Sequence, residues 1–312
     1  MKRTVQINAL FTLACLAGGA LLLQWPAATG EALPTPLFWL ATGTLALLAV
    51  QSIRFLAALE RARVLTAALF GLWVLYFWQL LVLALAVPKV LLPPPSLIAQ
   101  SIAMHWPTLW DDFVQTVLKA VLIGWALGSG LGFAVAVAID RLPFLQRGLL
   151  PLAALTSTIP LVAMAPIAVM WFGFDWPSKA AVVVLMTFFP MLVSTLAGLK
   201  AAGQLERELM YSYAASYSRT LLALRLPAAL PFMFGALKIN ATLALIGAIV
   251  AEFFGSPTQG LGFRISTEAA RMNMPLVWAA IAVAAVTGSV AYAALVQLER
   301  RVAFWHPSVR EG

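Results

Sequence analysis

Residues 208–231 read ELMYSYAASYSRTLLALRLPAALP. The segment favours helix, carries Glu208, Arg219 and Arg225, and closes on Pro227 and Pro231; long apolar runs lie on both sides of it. Hydrocarbon offers no partner for a charge or for exposed backbone, so such a segment lies in water at a membrane face. The runs on either side then cross the membrane. The fold class that follows is all-α, a polytopic membrane helical bundle.

Composition agrees. The chain of 312 residues is 62% hydrophobic and 10% charged, with a mean hydropathy of +0.93, far from a soluble domain. Its net charge of +8 comes from residues scattered between apolar runs. No basic block exists to track phosphates, so no nucleic acid is expected as a partner. The lone cysteine, Cys15, lies inside the first apolar run, which excludes an intrachain disulfide or a cysteine cluster.

Eight apolar runs are long enough to span a bilayer, which takes about 20 residues. They cover about 7–23, 37–59, 65–87, 113–139, 149–172, 180–199, 232–254 and 276–298. The first follows Lys2 and Arg3 like a secretory leader, but Ala27-Ala28 makes a poor cleavage site, and the run is expected to stay as an anchor. Between the third and fourth runs, Pro88, Pro93, Pro94, Pro95 and Pro107 argue against continuous helix. Ser96 is expected to cap a short surface helix there. Gly124, Gly128, Gly130 and Gly132 in the fourth run match no nucleotide fingerprint and suit close helix packing. Pro160 and Pro166 interrupt the fifth, whose backbone must bend, as cavity-lining helices do.

Charge gives the topology. With a cytoplasmic amino terminus, eight crossings return the carboxyl terminus to the same side. The polar segments 1–3, 54–63, 140–147, 200–225 and 299–310 then fall inside, and they hold fourteen of the twenty Lys and Arg residues. That bias obeys the positive-inside rule and places residues 208–231 in the cytoplasm.

Chemistry is sparse. No phosphate loop ending in Lys-Ser/Thr occurs, and the two histidines, His105 and His306, are far apart. No zinc site, histidine-based triad or cofactor is expected, and the chain does not read as an enzyme. Energy must come from a partner or from an ion gradient.

Aligned on Leu226-Pro227, the opening segment resembles the cytoplasmic coupling loop of ATP-binding-cassette importer permeases. Glu208 takes the acidic position and Ala214 the glycine position, followed by Ala215 and Ser216; Leu209 and Met210 depart from the usual alanines. The string 159–166, IPLVAMAP, then Trp171-Phe172-Gly173, Phe188-Phe189-Pro190, and Glu252 with Gly260-Leu261-Gly262 resemble permeases for sulfonates, taurine, nitrate and thiamine-pathway pyrimidines. The resemblance covers about residues 65–305, a six-span permease core within 65–312 whose coupling loop is about 200–231. Residues 1–64, two additional transmembrane helices, lie outside it.

The resemblance implies a homodimer in the cell inner membrane. It also implies two copies of a cytoplasmic ATP-binding subunit, and a periplasmic or lipid-anchored solute-binding protein that delivers a small polar solute. It implies that ATP is hydrolysed on the partner, and that a coupling helix from Glu208 to about Arg219 docks there. In that helix Tyr211, Tyr213 and Tyr217 supply contact area and Ala214 allows close approach. Candidate pathway residues are Met164, Phe188, Asn240, Thr242 and Glu252, on bent or polar faces. Two other classes stand beside this one. An ion-coupled secondary transporter needs charged groups near the midplane and internal repeats, and candidates here are few. A membrane scaffold leaves the interrupted fifth span unexplained.

Overall fold

A computed structural model describes residues 18–19, 36–57, 63–142, 161–256 and 258–306. Apart from Gly18 and Gly19, the expected first span lies outside the described residues, as does the first half of the fifth with Pro160. The described elements are all helical. In chain order they are α1 (Pro36–Ala57), α2 (Arg63–Ala84), α3 (Pro95–Met104), α4 (Trp106–Arg141), α5 (Ala165–Phe172), α6 (Trp176–Lys200), α7 (Gln204–Ser212), α8 (Tyr217–Phe253), α9 (Leu261–Ala270) and α10 (Met274–Val302). Among the described residues, five stretches are long and apolar enough to cross a membrane: Leu65–Ala84 of α2, and α4, α6, α8 and α10. A shorter apolar stretch, Phe38–Arg54, lies in α1.

The chain divides into two compact units, Met1–Met104 with Met272–Trp278, and His105–Arg271 with Ala279–Gly312. In the first, α1 and α2 pack through Leu45 and Ala49 against Leu69 and Trp73, and through Phe38 against Leu80 and Ala84. The start of α3 is tied to α2. Gln79 Oε1 accepts the Ser96 N–H and its Nε2 donates to Ser96 Oγ, both at 3.0 Å. Ser96 was expected to cap this helix with its own hydroxyl; instead α3 begins one residue earlier, at Pro95, and a side chain from α2 supplies the acceptor.

The second unit is built around α4, α6 and α8. Gly124, Gly128 and Gly132 recur every four residues and therefore share one face of α4. Side-chain carbons there would run into Val183, into Thr187 and the Val184 backbone, and into the Phe188 carbonyl of α6. Gly130 faces open space and takes no part. Gly198 of α6 meets Ala229 of α8 in the same backbone-to-backbone manner. Asn240 of α8, fully buried, donates to Ser129 Oγ of α4 at 3.0 Å and to the Thr187 carbonyl of α6 at 2.7 Å, joining all three helices.

Three expectations about helix limits change. α4 starts at Trp106 rather than near 113, because Pro107 falls in its first turn, where no N–H is needed. α8 runs unbroken from Tyr217 through Pro227 and Pro231 to Phe253. The missing Pro227 N–H is absorbed by a wider π turn over Leu221–Arg225, in which the Leu226 N–H reaches back five residues to the Leu221 carbonyl. Pro166 starts α5 rather than interrupting it; the backbone change lies just before, where a 3-10 turn over Leu161–Met164 gives way to α-helix.

Gly128→Leu is expected to overpack the α4–α6 seam and to destabilise the protein by about 1–3 kcal/mol. Gly130→Ala is expected to be neutral or slightly stabilising. Thermal unfolding of the detergent-solubilised chain, followed by loss of the monodisperse peak, separates the two.

Candidate functional site

At one end of the second unit, α7 and the start of α8 stand off the bundle. No residue of α7 is buried. Leu205, Tyr211 and Leu209 face outward, 77%, 87% and 55% exposed, as does Tyr213 just after the helix at 77%. Glu208 is also exposed and accepts the Gln204 side-chain amide at 2.9 Å.

The helix expected from Glu208 to about Arg219 is two helices. α7 ends in a Schellman turn: the Ala215 N–H bonds the Met210 carbonyl at 3.0 Å and the Ala214 N–H bonds the Tyr211 carbonyl at 2.9 Å. Ala214 sits in the left-handed region, with φ +51°. A side chain costs about 1 kcal/mol in that conformation, which glycine adopts freely. After the turn Ser216 opens α8, and its Oγ accepts the Arg219 N–H at 3.4 Å.

What fixes this projection is an ion pair to which the sequence pattern gave no role. The Arg225 guanidinium forks onto both oxygens of Asp140, at the end of α4, at 2.6 and 2.8 Å. Its Nε donates to the Leu199 carbonyl, at the end of α6, at 3.0 Å. The Tyr217 hydroxyl donates to Asp140 Oδ2 at 2.8 Å, and the Arg141 guanidinium lies 5.8 Å from the Tyr217 ring centroid. Asp140 and Arg225 thus join the ends of α4 and α6 to the first turns of α8. Leu226 and Pro227 follow directly, half-buried against the bundle. A carboxylate closing one apolar run and an arginine opening another were the available signals.

The opposite end is held in the same way. The first amides of α9 bond side chains from α4 and α8: the Gly260 N–H to Asp112 Oδ1 at 2.8 Å, the Leu261 N–H to Thr116 Oγ1 at 2.8 Å, and the Gly262 N–H to Glu252 Oε2 at 2.7 Å. Thr116 Oγ1 donates in turn to Glu252 Oε1, and Arg264 pairs with Asp112, both at 2.7 Å. Gly260 has φ +127°, and a side-chain carbon on it would meet the Glu252 carboxylate. Beside them Asp175 caps α6. The Gln115 amide and then the Trp176 N–H hold its carboxyl below the ordinary carboxylate value.

The five candidate pathway residues sit in different surroundings. Asn240 and Glu252 are buried; the Asn240 amide nitrogen and the Glu252 carboxylate bond neighbouring helices, while Asn240 Oδ1 has no hydrogen-bond partner among the described residues. Thr242, two residues beyond Asn240 and so turned by about 200°, is exposed. Met164 and Phe188 are half-buried, and Phe188 packs against Ala136, Ile139, Leu192 and Leu196.

Residues 128–304 match the family described as binding-protein-dependent transport system inner membrane component. The chain belongs to this family. It is a permease subunit of an ATP-binding-cassette importer, and its family implies an ATP-binding subunit and a solute-binding protein as partners. It is 32% identical over 241 residues to the formylaminopyrimidine transport permease protein ThiX of Halalkalibacterium halodurans, covering 77% of this chain and 96% of that one. It is 31% identical over 236 residues to the riboflavin transport system permease protein RibX of Chloroflexus aurantiacus, covering 75% and 87%. To the taurine transport system permease protein TauC of Escherichia coli it is 29% identical over 250 residues, covering 78% and 89%. The ion-coupled alternative is not favoured.

Arg225→Gln leaves Asp140 without its counter-charge. The cost is expected to be about 2–3 kcal/mol, below the roughly 3–5 of a fully buried pair because both side chains keep some contact with solvent. Ala214→Gly is expected to slow hydrogen exchange of residues 204–220 by relieving the left-handed alanine, a gain of about 0.5–1 kcal/mol in the closed turn. Exchange rates measured on the parent and both variants check the two signs.

Proposed function

We propose that α7, the turn at Tyr213–Ser216 and the first turn of α8 form the surface on which a cytoplasmic ATP-binding subunit docks. The observation that carries this is a helix with no buried residue, whose Leu205, Leu209 and Tyr211 are exposed, standing beside a turn fixed to the bundle by Asp140 and Arg225. Leu209, Tyr211 and Tyr213 supply contact area. Glu208 and Arg219 supply charge at its rim. Ala214, Ala215 and Ser216 set the angle between the two short helices, and Leu226 and Pro227 carry that angle into the long part of α8.

In this reading two permease chains form a homodimer over two ATP-binding subunits. Closure of those subunits around ATP moves α7 and, through Arg225, the ends of α4, α6 and α8. Coupling is then a bias between two states of the bundle, exerted through contacts at one end. ATP is hydrolysed on the partner. Residues 65–312 form the permease core, with amino and carboxyl termini in the cytoplasm, and residues 1–64 add two further spans beside it. The solute arrives on an extracytoplasmic binding protein. The names of the relatives favour a pyrimidine or thiamine-precursor-like aromatic compound, with a sulfonate-type or nitrate-type anion as the second reading. Met164, Phe188 and Thr242 are the proposed contacts along the pathway, with Asn240 and Glu252 holding the helices that flank it.

The test is affinity purification of the tagged chain from native membranes in mild detergent, followed by mass spectrometry and ATP-driven uptake in vesicles. The parent is expected to bring an ATP-binding subunit with it. Tyr211→Ala, on a fully exposed site, is expected to weaken that association about tenfold, and Ala214→Trp to abolish it, with membrane insertion unchanged in both. Retention of the subunit by both variants would sink the docking surface.

A further inference from the structure

The second unit contains a cavity of about 230 Å³ between α4, α8 and α10. Val121 and Trp125 line it from α4, Ala241 and Leu245 from α8, and Gly288 and Leu295 from α10. Two polar side chains reach it, and both are already used. Thr287 Oγ1 donates to the Val283 carbonyl at 2.7 Å, and Trp125 Nε1 donates to the Leu237 carbonyl at 3.2 Å. Nothing in the lining is left to recognise a polar solute. Apolar cavities smaller than this, near 150 Å³, stay dry and take apolar guests.

One end of the cavity is charged. Lys238, one turn before Ala241 on α8, pairs with Glu299, one turn after Leu295 on α10, at 2.8 Å. Arg300 and Arg301 follow, both exposed, and then Phe304 and Trp305, exposed and in ring contact at 5.2 Å. An aromatic pair just beyond a basic cluster at the end of an apolar helix marks the level of lipid headgroups. The cavity starts at Leu295, about 6 Å along α10 from Glu299, and reaches Thr287 at about 18 Å. One leaflet of hydrocarbon is about 15 Å deep.

We propose that this slot binds one anionic phospholipid, an acyl chain lying between α4, α8 and α10 and the phosphate held by Arg301, which lies two turns beyond Ala294 on the same face of α10, above the Lys238–Glu299 pair. Depth, dryness and charge each fit that occupant, and basic pockets between membrane helices are known to select anionic headgroups. A second copy of this chain fits less well, because it presents the same arginines at the same level. The bound chain fills the space between α10 and the rest of the unit, so the lipid acts as a wedge that sets how closely α10 approaches α8. This inference does not depend on which surface the ATP-binding subunit uses.

The test uses the full chain in nanodiscs of equal phosphatidylglycerol and phosphatidylcholine, released into mild detergent, with retained lipid counted by native mass spectrometry. The parent is expected to keep one phosphatidylglycerol per chain, with about tenfold preference over phosphatidylcholine. Ala291→Phe, which fills the slot, is expected to lose that lipid. The Arg301→Gln variant is expected to keep a lipid but lose the preference. Should Ala291→Phe fail to fold, Ala294→Phe enters the same slot from the more exposed side of α10. Equal retention in parent and filled variant overturns the site, and an unchanged preference in Arg301→Gln overturns the headgroup assignment. A dimer that forms without phosphatidylglycerol and is lost on filling the slot assigns the cavity to a second copy instead.

Discussion

α4 carries an aspartate at each end, and the bundle is pinned at both. Asp112 takes Arg264 and the first amide of α9; Asp140 takes Arg225 and the hydroxyl of Tyr217. The two carboxylates are 28 residues apart, about 42 Å along a helix. Between them most contacts are apolar or backbone-to-backbone, with Asn240 joining α4, α6 and α8 and with Thr116 and Trp125 of α4 each bonding α8. Lipid gives no hydrophobic reward for pressing one apolar helix on another. Specificity therefore rests on close glycine seams and on charges whose removal would leave a partner stranded.

The two pinned ends differ in what they leave exposed. Around Asp112 the backbone amides of a surface helix are turned inward and satisfied by side chains of other helices, so that end is closed upon itself. Around Asp140 the chain turns outward. α7 offers leucines and tyrosines to solvent, while the residues that position it are locked by the Arg225 fork. A rigid base under an exposed apolar face is the arrangement expected where a partner's movement must be passed on rather than absorbed.

Much of this was readable in the sequence, for physical reasons. The membrane-spanning character followed from runs of apolar residues with few charges, and the polar loop at 208–231 stood out against them. The glycine seam showed in the spacing of Gly124, Gly128 and Gly132. Gly130 was grouped with them because periodicity alone does not say which face meets a neighbour. The break at Ala214 was hidden because alanine is the best helix former, and its left-handed conformation is imposed by the turn. Proline misled in three places. Pro107 and Pro166 begin helices, and Pro227 is accommodated by a widened turn, so a residue read as punctuation was in each case part of a helix. The ion pairs were hidden for a different reason: Asp140 and Arg225 lie 85 residues apart, and no local pattern links them.

The widened π turns, over Val114–Val121 in α4 and Leu221–Arg225 in α8, have a bearing on how such chains change over time. A turn of this kind holds one residue more than an α turn, so it is what a helix keeps after a single-residue insertion that its two ends could not both accommodate. Removing one residue there would restore regular helix and rotate everything beyond it by about 100°. In α4 that rotation would swing Asp112 away from Arg264 and the start of α9 while leaving the Asp140 end in place. The length of α4 is therefore fixed to the residue, and homologous chains should be aligned from both ends of this helix inward, with any gap placed in the widened turn.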